Sequence, residues 1–241
     1  MAITGKEGQG TFPTQVPAAT AFSVLYQRVL NYVQAPSDTT LTTIAKQEIN
    51  DAISRLNQRE WWWTRGVSPD IPLVAGTKEY ILKFSPVAAP VASDFRSPRI
   101  LERLNTTGEP IGSLPFMPMK TFSQTFQDRS NLAGTPSAYT IFNDIEQNVL
   151  TLNYGPSAAY IATTKNLRMR YFRRLAYFSA DADTVSTLFA PTDVEAFIVW
   201  YARAGLAAIF RPEAVAYAER RWQELWDFLV KASQKHDTTD W

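Results

Sequence analysis

The residues best suited to chemistry crowd into the stretch 165–174, where Lys165, Arg168, Arg170, Arg173 and Arg174 are interleaved with Tyr171 and Phe172. Cations alternating with aromatics can follow a phosphate backbone while bases stack on the rings. Extended, the segment puts Leu167, Met169 and Tyr171 on one face and Arg168 and Arg170 on the other. The competing use is a polar strand face paired with acids of its own chain or of a neighbouring subunit. Net charge favours that second use. The 24 basic and 23 acidic side chains leave +1, which gives no global pull toward nucleic acid or anionic lipid.

Other combinations point less far. A cell-wall hydrolase needs a carboxylic acid held protonated by burial. Glu60, beside three tryptophans, is the residue that would serve, although a solvated helix end is its ordinary setting. The single histidine, His236, lies in a polar stretch, where neither a nucleophilic triad nor a zinc site finds a fixed imidazole. Asp181-Ala182-Asp183 resembles half of a calcium loop but lacks its glycine and closing glutamate. Gly5-Lys6-Glu7-Gly8-Gln9-Gly10 has its lysine misplaced for a phosphate loop, and no strand precedes it. Cysteine is absent, so there are no disulfides and no thiolate metal sites. The residues predict no catalytic group, no metal and no cofactor, and a protein that is not an enzyme.

Arg59-Glu60-Trp61-Trp62-Trp63-Thr64-Arg65 holds three of the seven tryptophans. A helix would spread them over about 200° of its surface, and a strand would send Trp62 to the opposite face. The run therefore belongs where one element gives way to the next. At least one indole is expected in the seam between a helical layer and a sheet, and another against a neighbouring subunit or partner. Trp61, Trp62 and Trp63 are the expected interface residues.

The elements that must position these residues follow from the period of the apolar positions. With 241 residues, 45% of them hydrophobic, the chain is long enough for a real core. No apolar run approaches the roughly 18 residues of a membrane span, and Met1-Ala-Ile-Thr does not begin a signal peptide, so synthesis in the cytosol is expected. Residues 1–19 read as a flexible arm. Thr20 reads as an N-cap, followed by a helix on Phe22, Leu25, Tyr26, Val29 and Val33. A second helix begins near Thr39 or Thr40, carries Leu41, Ile44, Ala45, Ile49, Ile53 and Leu56, and runs to about Arg59. Residues 61–189 read as an inserted β domain with strands at 80–84, 99–104, 138–142, 149–154 and 167–172. The segments 85–98 and 105–135 read as loops. Two helices close the chain. One follows the capping box Thr192-Asp193-Val194-Glu195, and the other starts at Pro212 and gives way to a polar tail at 231–241. The class is α+β: N- and C-terminal helical hairpins (20–60 and 190–230) forming an antiparallel four-helix layer, with an antiparallel β segment inserted.

Several stretches in this order resemble a known family. Ile49-Asn50-Asp51-Ala52-Ile53 leads into the tryptophan run, and Ala75-Gly76-Thr77-Lys78-Glu79-Tyr80 opens a hairpin. Gly134-Thr135-Pro136-Ser137-Ala138-Tyr139, Leu150-Thr151-Leu152-Asn153-Tyr154-Gly155-Pro156 and the basic strand come later, before an alanine-rich helix. The set resembles the head-to-tail adaptor proteins of tailed bacteriophages, above all the tail tubular protein A type of short-tailed phages. The resemblance implies a structural protein of the virion neck, assembled in the host cytoplasm as a dodecameric ring. Its implied partners are the portal protein above, a tail nozzle or other tail protein below, and double-stranded DNA that passes through without specific binding; no membrane is implied. It also implies genome retention and a C-terminal grip on the portal, for which Lys235, Asp237 and Trp241 are in place. Arg168, Arg170, Arg173 and Arg174 would then line the DNA channel or face a neighbouring subunit. The alternatives are a nucleic-acid-binding module using Lys165 to Arg174 and a hydrolase using Glu60.

Overall fold

The computed structural model describes residues 20–35, 38–82, 95–126, 132–144, 147–183 and 192–239. The arm expected at 1–19, most of the loop expected at 85–98, and Trp241 lie outside them. In chain order the elements begin with α1 (Phe22–Tyr32), α2 (Thr39–Leu56), a 3₁₀ turn (Trp62–Thr64), β1 (Arg65–Val67), β2 (Ile71–Pro72) and β3 (Glu79–Leu82). They continue with β4 (Phe95–Leu104), β5 (Pro110–Leu114), α3 (Met119–Phe126), β6 (Ala133–Gly134), β7 (Tyr139–Asp144) and β8 (Gln147–Leu152). The last are β9 (Gly155–Pro156), α4 (Ala158–Thr163), β10 (Asn166–Arg173), α5 (Thr192–Phe210) and α6 (Pro212–Thr239). Helices joined to antiparallel sheets make this an α+β protein, as the order of apolar periods predicts. The chain divides into two compact units, Met1–Ile53 with Tyr177–Ala232, and Ser54–Ala176 with Ser233–Trp241.

The first unit is built on α1, most of α2, α5 and most of α6. Phe22, Leu25, Tyr26, Val29 and Leu30 form the buried stripe of α1, and Leu41, Ala45, Ile49 and Ala52 that of α2. Thr20 does not cap α1. Its hydroxyl donates to Glu195 of α5 (2.7 Å), and the open amides of Phe22 and Ser23 donate to the carbonyls of Asp183 (2.7 Å) and Asp181 (3.1 Å). A returning segment of chain thus satisfies the helix start, which makes a side-chain cap unnecessary. Asp38 caps α2, its carboxylate accepting from the Leu41 amide at 2.9 Å. Asn50 uses both ends of its amide on Phe178, donating to the carbonyl (3.1 Å) and accepting from the N–H (2.9 Å). The α5–α6 pair is antiparallel: Phe197 meets Trp226 (5.4 Å between centroids) while Tyr201, one turn on, meets Trp222 (5.4 Å). A single residue, Arg211, links the two helices.

Gly205 of α5 leaves room for the Glu48 side chain of α2. A Cβ placed on Gly205 would fall inside the carboxylate of Glu48, which is half-buried and whose acid form burial favours, with Asp51 adding repulsion. Gly205→Ala must therefore displace Glu48 before it can benefit from alanine's helix propensity. A double-mutant cycle with Glu48→Ala is expected to give a coupling of about 1–2 kcal/mol by urea unfolding, with the double variant more stable than Gly205→Ala alone. The raised acid sets the sign of the pH effect. The folded form holds the proton more tightly than the unfolded form, so this penalty is present above the folded-state value and is relieved as pH falls toward the ordinary carboxylate range. Glu48→Gln should remove that acid-side gain.

The second unit holds the sheets. One has the order β1-β10-β4-β5, with β2 also pairing β10; another runs β3-β8-β7; and β6 pairs β9 in parallel. Inward residues of the two larger sheets share one core, among them Tyr80, Leu101, Tyr139, Leu150, Leu167, Met169 and Tyr171. Burial drives the Tyr139 phenol far above its ordinary range, so it stays neutral in the core. Around the edge, buried Asn153 accepts from the amides of Ser137 (2.9 Å) and Ala138 (3.1 Å) and donates to the Ser137 hydroxyl (2.8 Å). The Gly76 amide donates to the Pro156 carbonyl at 2.9 Å, drawing the 75–76 turn against β9. There a Cβ on Gly155 would stand 2.5 Å from the Gly76 carbonyl oxygen.

Several boundaries differ from the reading by period. α2 ends at Leu56, before Arg59, with Gln58 and Arg59 in the turn that follows. The strand expected at 99–104 begins at Phe95, with Pro98 paired to Tyr171 and register shifts on either side of the Tyr171–Phe172 pairings. The irregular stretch 105–135 contains β5 and α3. α3 buries only Phe122, too little apolar repetition to register as a helix. α4, between the strands expected at 149–154 and 167–172, is a helix of six residues whose start is capped by the Ser157 hydroxyl, which accepts from the Tyr160 amide (3.2 Å). The polar tail expected from residue 231 is helical through Thr239.

Candidate functional site

The tryptophan run occupies a junction between elements. Trp61 is extended (φ −120°, ψ 142°), and the single 3₁₀ turn that follows brings residue i+2 back over residue i. Trp61 and Trp63 stack at 4.7 Å with 17° between their planes, and Trp62 meets Trp63 edge-on at 5.9 Å. Trp61 is 1% exposed and Trp63 4%, while Trp62 is half-buried. The Trp61 indole N–H donates to the Leu56 carbonyl at 2.8 Å, and its own carbonyl accepts from the Thr64 hydroxyl at 2.8 Å. The Leu56 carbonyl at the end of α2 also accepts from the Arg59 amide at 3.2 Å, so an indole and a backbone amide cap it together. Two of the three indoles thus fill this chain's interior, and only Trp62 keeps substantial surface.

The basic strand is β10. Leu167, Met169 and Tyr171 are buried at 0–1% exposure, as their alternation predicts. On the other face, Arg168 donates to Asp70 from Nε (2.8 Å) and Nη2 (3.3 Å), and this bond raises the Arg168 guanidinium above its ordinary range. Arg170 donates from Nε to Glu102 of β4 at 2.7 Å. Glu102 is the register partner of Arg168, so Asp70, Arg168, Glu102 and Arg170 form a row of alternating sign across the sheet. Beyond a second register shift, Arg173 lies 5.9 Å over the Tyr171 ring, and Arg174 is exposed past the strand end. The four arginines are therefore not one phosphate track. Two are held by acids, Arg168 by Asp70 just before β2 and Arg170 by Glu102 of β4.

The remaining expectations separate. Glu60 is exposed and accepts from the Ser97 hydroxyl, so the buried acid that a hydrolase requires is not formed there. Asp181 binds Lys46 (2.6 Å) and the Tyr26 hydroxyl (3.2 Å); the Lys46 bond first and the tyrosine second hold its carboxyl below the usual range. Asp183 caps its own turn through the amides of Ser179 (2.6 Å) and Ala180 (2.7 Å). These aspartates fasten a loop. Among the described residues no group of three acids, histidines or cysteines is placed to hold a metal, and no helix is long and apolar enough to cross a membrane. Lys235 is exposed on α6, Asp237 belongs to the same helix, and Trp241 lies outside the described residues. Spacing within single segments missed Arg65 and Arg99. With Arg170 they line one cleft of about 250 Å³ beside β1, brought together by strand pairing.

A comparison with curated proteins finds no match. The model of the SU10 adaptor protein family matches residues 20–240, nearly the whole chain and all of the elements above. The chain belongs to the SU10 adaptor protein family, a family of phage head-tail adaptors, and its role is that of a structural phage adaptor.

Proposed function

We propose that this protein forms a homo-oligomeric ring, dodecameric by resemblance, beneath the portal of a bacteriophage head. The ring extends the DNA channel, joins the tail to the capsid and helps retain the genome; its next neighbour below is a tail nozzle or another tail protein. The observation that carries this reading is the family match across residues 20–240. Surface chemistry supports it. Ile209, Phe210, Tyr217 and Phe228 on α5 and α6 are 44–57% exposed, large apolar side chains of the kind that subunit contacts cover. Trp62, half-buried, is the indole of the run assigned to a neighbour or partner. Lys235 and Asp237 of α6, together with Trp241, are assigned to portal attachment. The self-paired row on β10 suits a wall past which DNA moves better than one that grips it.

Size-exclusion chromatography with light scattering, with and without purified portal rings, tests this. The expected result is a portal complex heavier by a fixed multiple of the 27.2 kDa chain. A variant lacking Asp237 to Trp241 should keep its circular dichroism and lose most of the attachment. A chain that never joins portal, yet binds duplex DNA with affinity falling steeply with salt, would be a nucleic-acid module instead.

A further inference from the structure

We propose that the outer edge of β5 is a docking site for an extended, uncharged and apolar segment of a partner chain. Such a site gives the adaptor role a partner chemistry, and only the origin of the segment depends on that role. β5 closes one end of the sheet β1-β10-β4-β5 and, among the described residues, pairs with β4 alone. A strand in that place offers a row of open backbone N–H and C=O groups, and proteins commonly guard such rows with charges. The other outer strands do so: β1 carries Arg65, β3 carries Glu79 and β7 ends in Asp144. β2 is two residues long, one of them proline. In β5 the proline stands first, which leaves Ile111 to Leu114 with their amides. From Pro110 to Met119 the chain runs ten residues without a charged side chain. Within that run Ile111, Phe116 and Met119 are 44–48% exposed, a concentration of large apolar surface beside an open edge.

Both ends of this edge are held by the protein itself. At the β4–β5 turn, Asn105 Oδ1 accepts from the amides of Thr107 (2.9 Å) and Glu109 (2.9 Å) and from the Thr107 hydroxyl (2.7 Å). Past the strand, the Pro115 carbonyl accepts from the amide of buried Tyr139 at 3.1 Å, and the Met117 amide donates to the Tyr139 carbonyl at 2.8 Å. The Phe116 ring rests edge-on against the Tyr139 ring, 5.5 Å between centroids. A partner strand therefore need not order the groups it meets, which lowers the cost of binding. Open backbone groups in a row are satisfied by an extended chain, which joins the sheet as one more strand. The side chains around them are Ile111, Ser113, Phe116 and Met119, so a charged segment would lose water there without gaining a counter-charge. One cation comes near: Arg103 of β4 lies against Gly112, its own register partner. Apolar side chains are the ones that methionine and phenylalanine accommodate.

The test uses the full chain and a fluorescein-labelled octapeptide of alternating valine and threonine with blocked ends. Its comparisons are the same peptide methylated on alternate backbone nitrogens and an octapeptide of alternating valine and glutamate. Anisotropy should show the first peptide binding at least about tenfold tighter than either comparison, a difference of about 1.4 kcal/mol. Ile111→Lys, at an exposed position, should weaken binding by about tenfold or more by guarding the edge with a charge. Val67→Lys, on β1 at the other end of the sheet, should leave it unchanged. Titration of the unaltered chain should also shift the backbone amide signals of Ile111, Gly112 and Ser113 and not those of Gly66 and Val67, a readout that does not depend on the variants' stability. Binding indifferent to Ile111→Lys, equal binding of the methylated or the acidic peptide, or silent amides at 111–113 would each overturn the proposal. A dimer seen by light scattering and abolished by Ile111→Lys would also overturn it, by giving the edge to a second copy of the chain. These measurements need no portal, so their failure leaves the ring reading standing, and failure to join portal leaves the β5 edge to be judged separately.

Discussion

Trp61→Ala is expected to lower the unfolding free energy by about 3–5 kcal/mol, the range for removing a large buried aromatic. The side chain is 1% exposed, stacks on Trp63 and lies 5.6 Å from the Arg59 guanidinium carbon. Its loss opens a cavity, frees one face of Trp63 and leaves the Leu56 carbonyl without its indole donor. Trp62→Ala, at a half-buried position, should cost no more than about 1–2 kcal/mol in the isolated chain. Urea unfolding followed by far-ultraviolet circular dichroism separates the two, since tryptophan fluorescence changes with the substitution itself. Equal losses from the two variants would refute the division of the run into interior and outward indoles. In the assembled particle the order should change: Trp62→Ala should weaken subunit or partner contacts although the isolated chain hardly registers it.

The second large effect is expected at Gly155. Its added methyl group would meet the Gly76 oxygen at 2.5 Å, the carbonyl carbon at 2.7 Å and Cα at 2.9 Å. All three are backbone atoms of a turn at φ +75°, held to Pro156 by its own amide, so nothing can swing aside. Gly155→Ala should cost about 3 kcal/mol, high in the range for overpacking, and should loosen the β6–β9 pairing. Amide exchange at Gly76 and Ser157 would rise, because their bonds to Pro156 and Gly134 are the ones displaced. The contrast with Gly205 makes the reason testable. There the obstruction is the end of the Glu48 side chain, which can move, and a second substitution relieves it. No side-chain deletion should rescue Gly155→Ala.

How much of this was readable from residue order depends on where the information sits. Long helices declare themselves through repeated apolar spacing, and α1, α2 and α5 start within a residue or two of their expected positions. The alternation in β10 is equally local, and it assigns the buried and outward faces correctly. α3 and α4 bury one large side chain each, which leaves no period to detect. The missing cap at Thr20 has a different cause. The acceptors for the α1 amides belong to residues 181 and 183, distant in the chain, and no local pattern contains them. The same limit applies to charge. That Arg168 and Arg170 are paired depends on Asp70 arriving from the link before β2 and Glu102 from β4, and the Arg65–Arg99–Arg170 cleft depends on a bulge. Adaptor membership was legible because it is a property of the order of many weak motifs, which residue order does preserve.

The alternating row on the sheet has a kinetic consequence. Opposite charges a few ångströms apart cancel at longer range, and at about 0.15 M salt screening removes fields beyond about 8 Å. An approaching partner is neither drawn toward Asp70, Arg168, Glu102 and Arg170 nor turned away until it touches them. Encounter at this face should then proceed at the unsteered rate of about 10⁵–10⁶ M⁻¹s⁻¹, nearly independent of ionic strength. Selection among partners falls to how long each one stays.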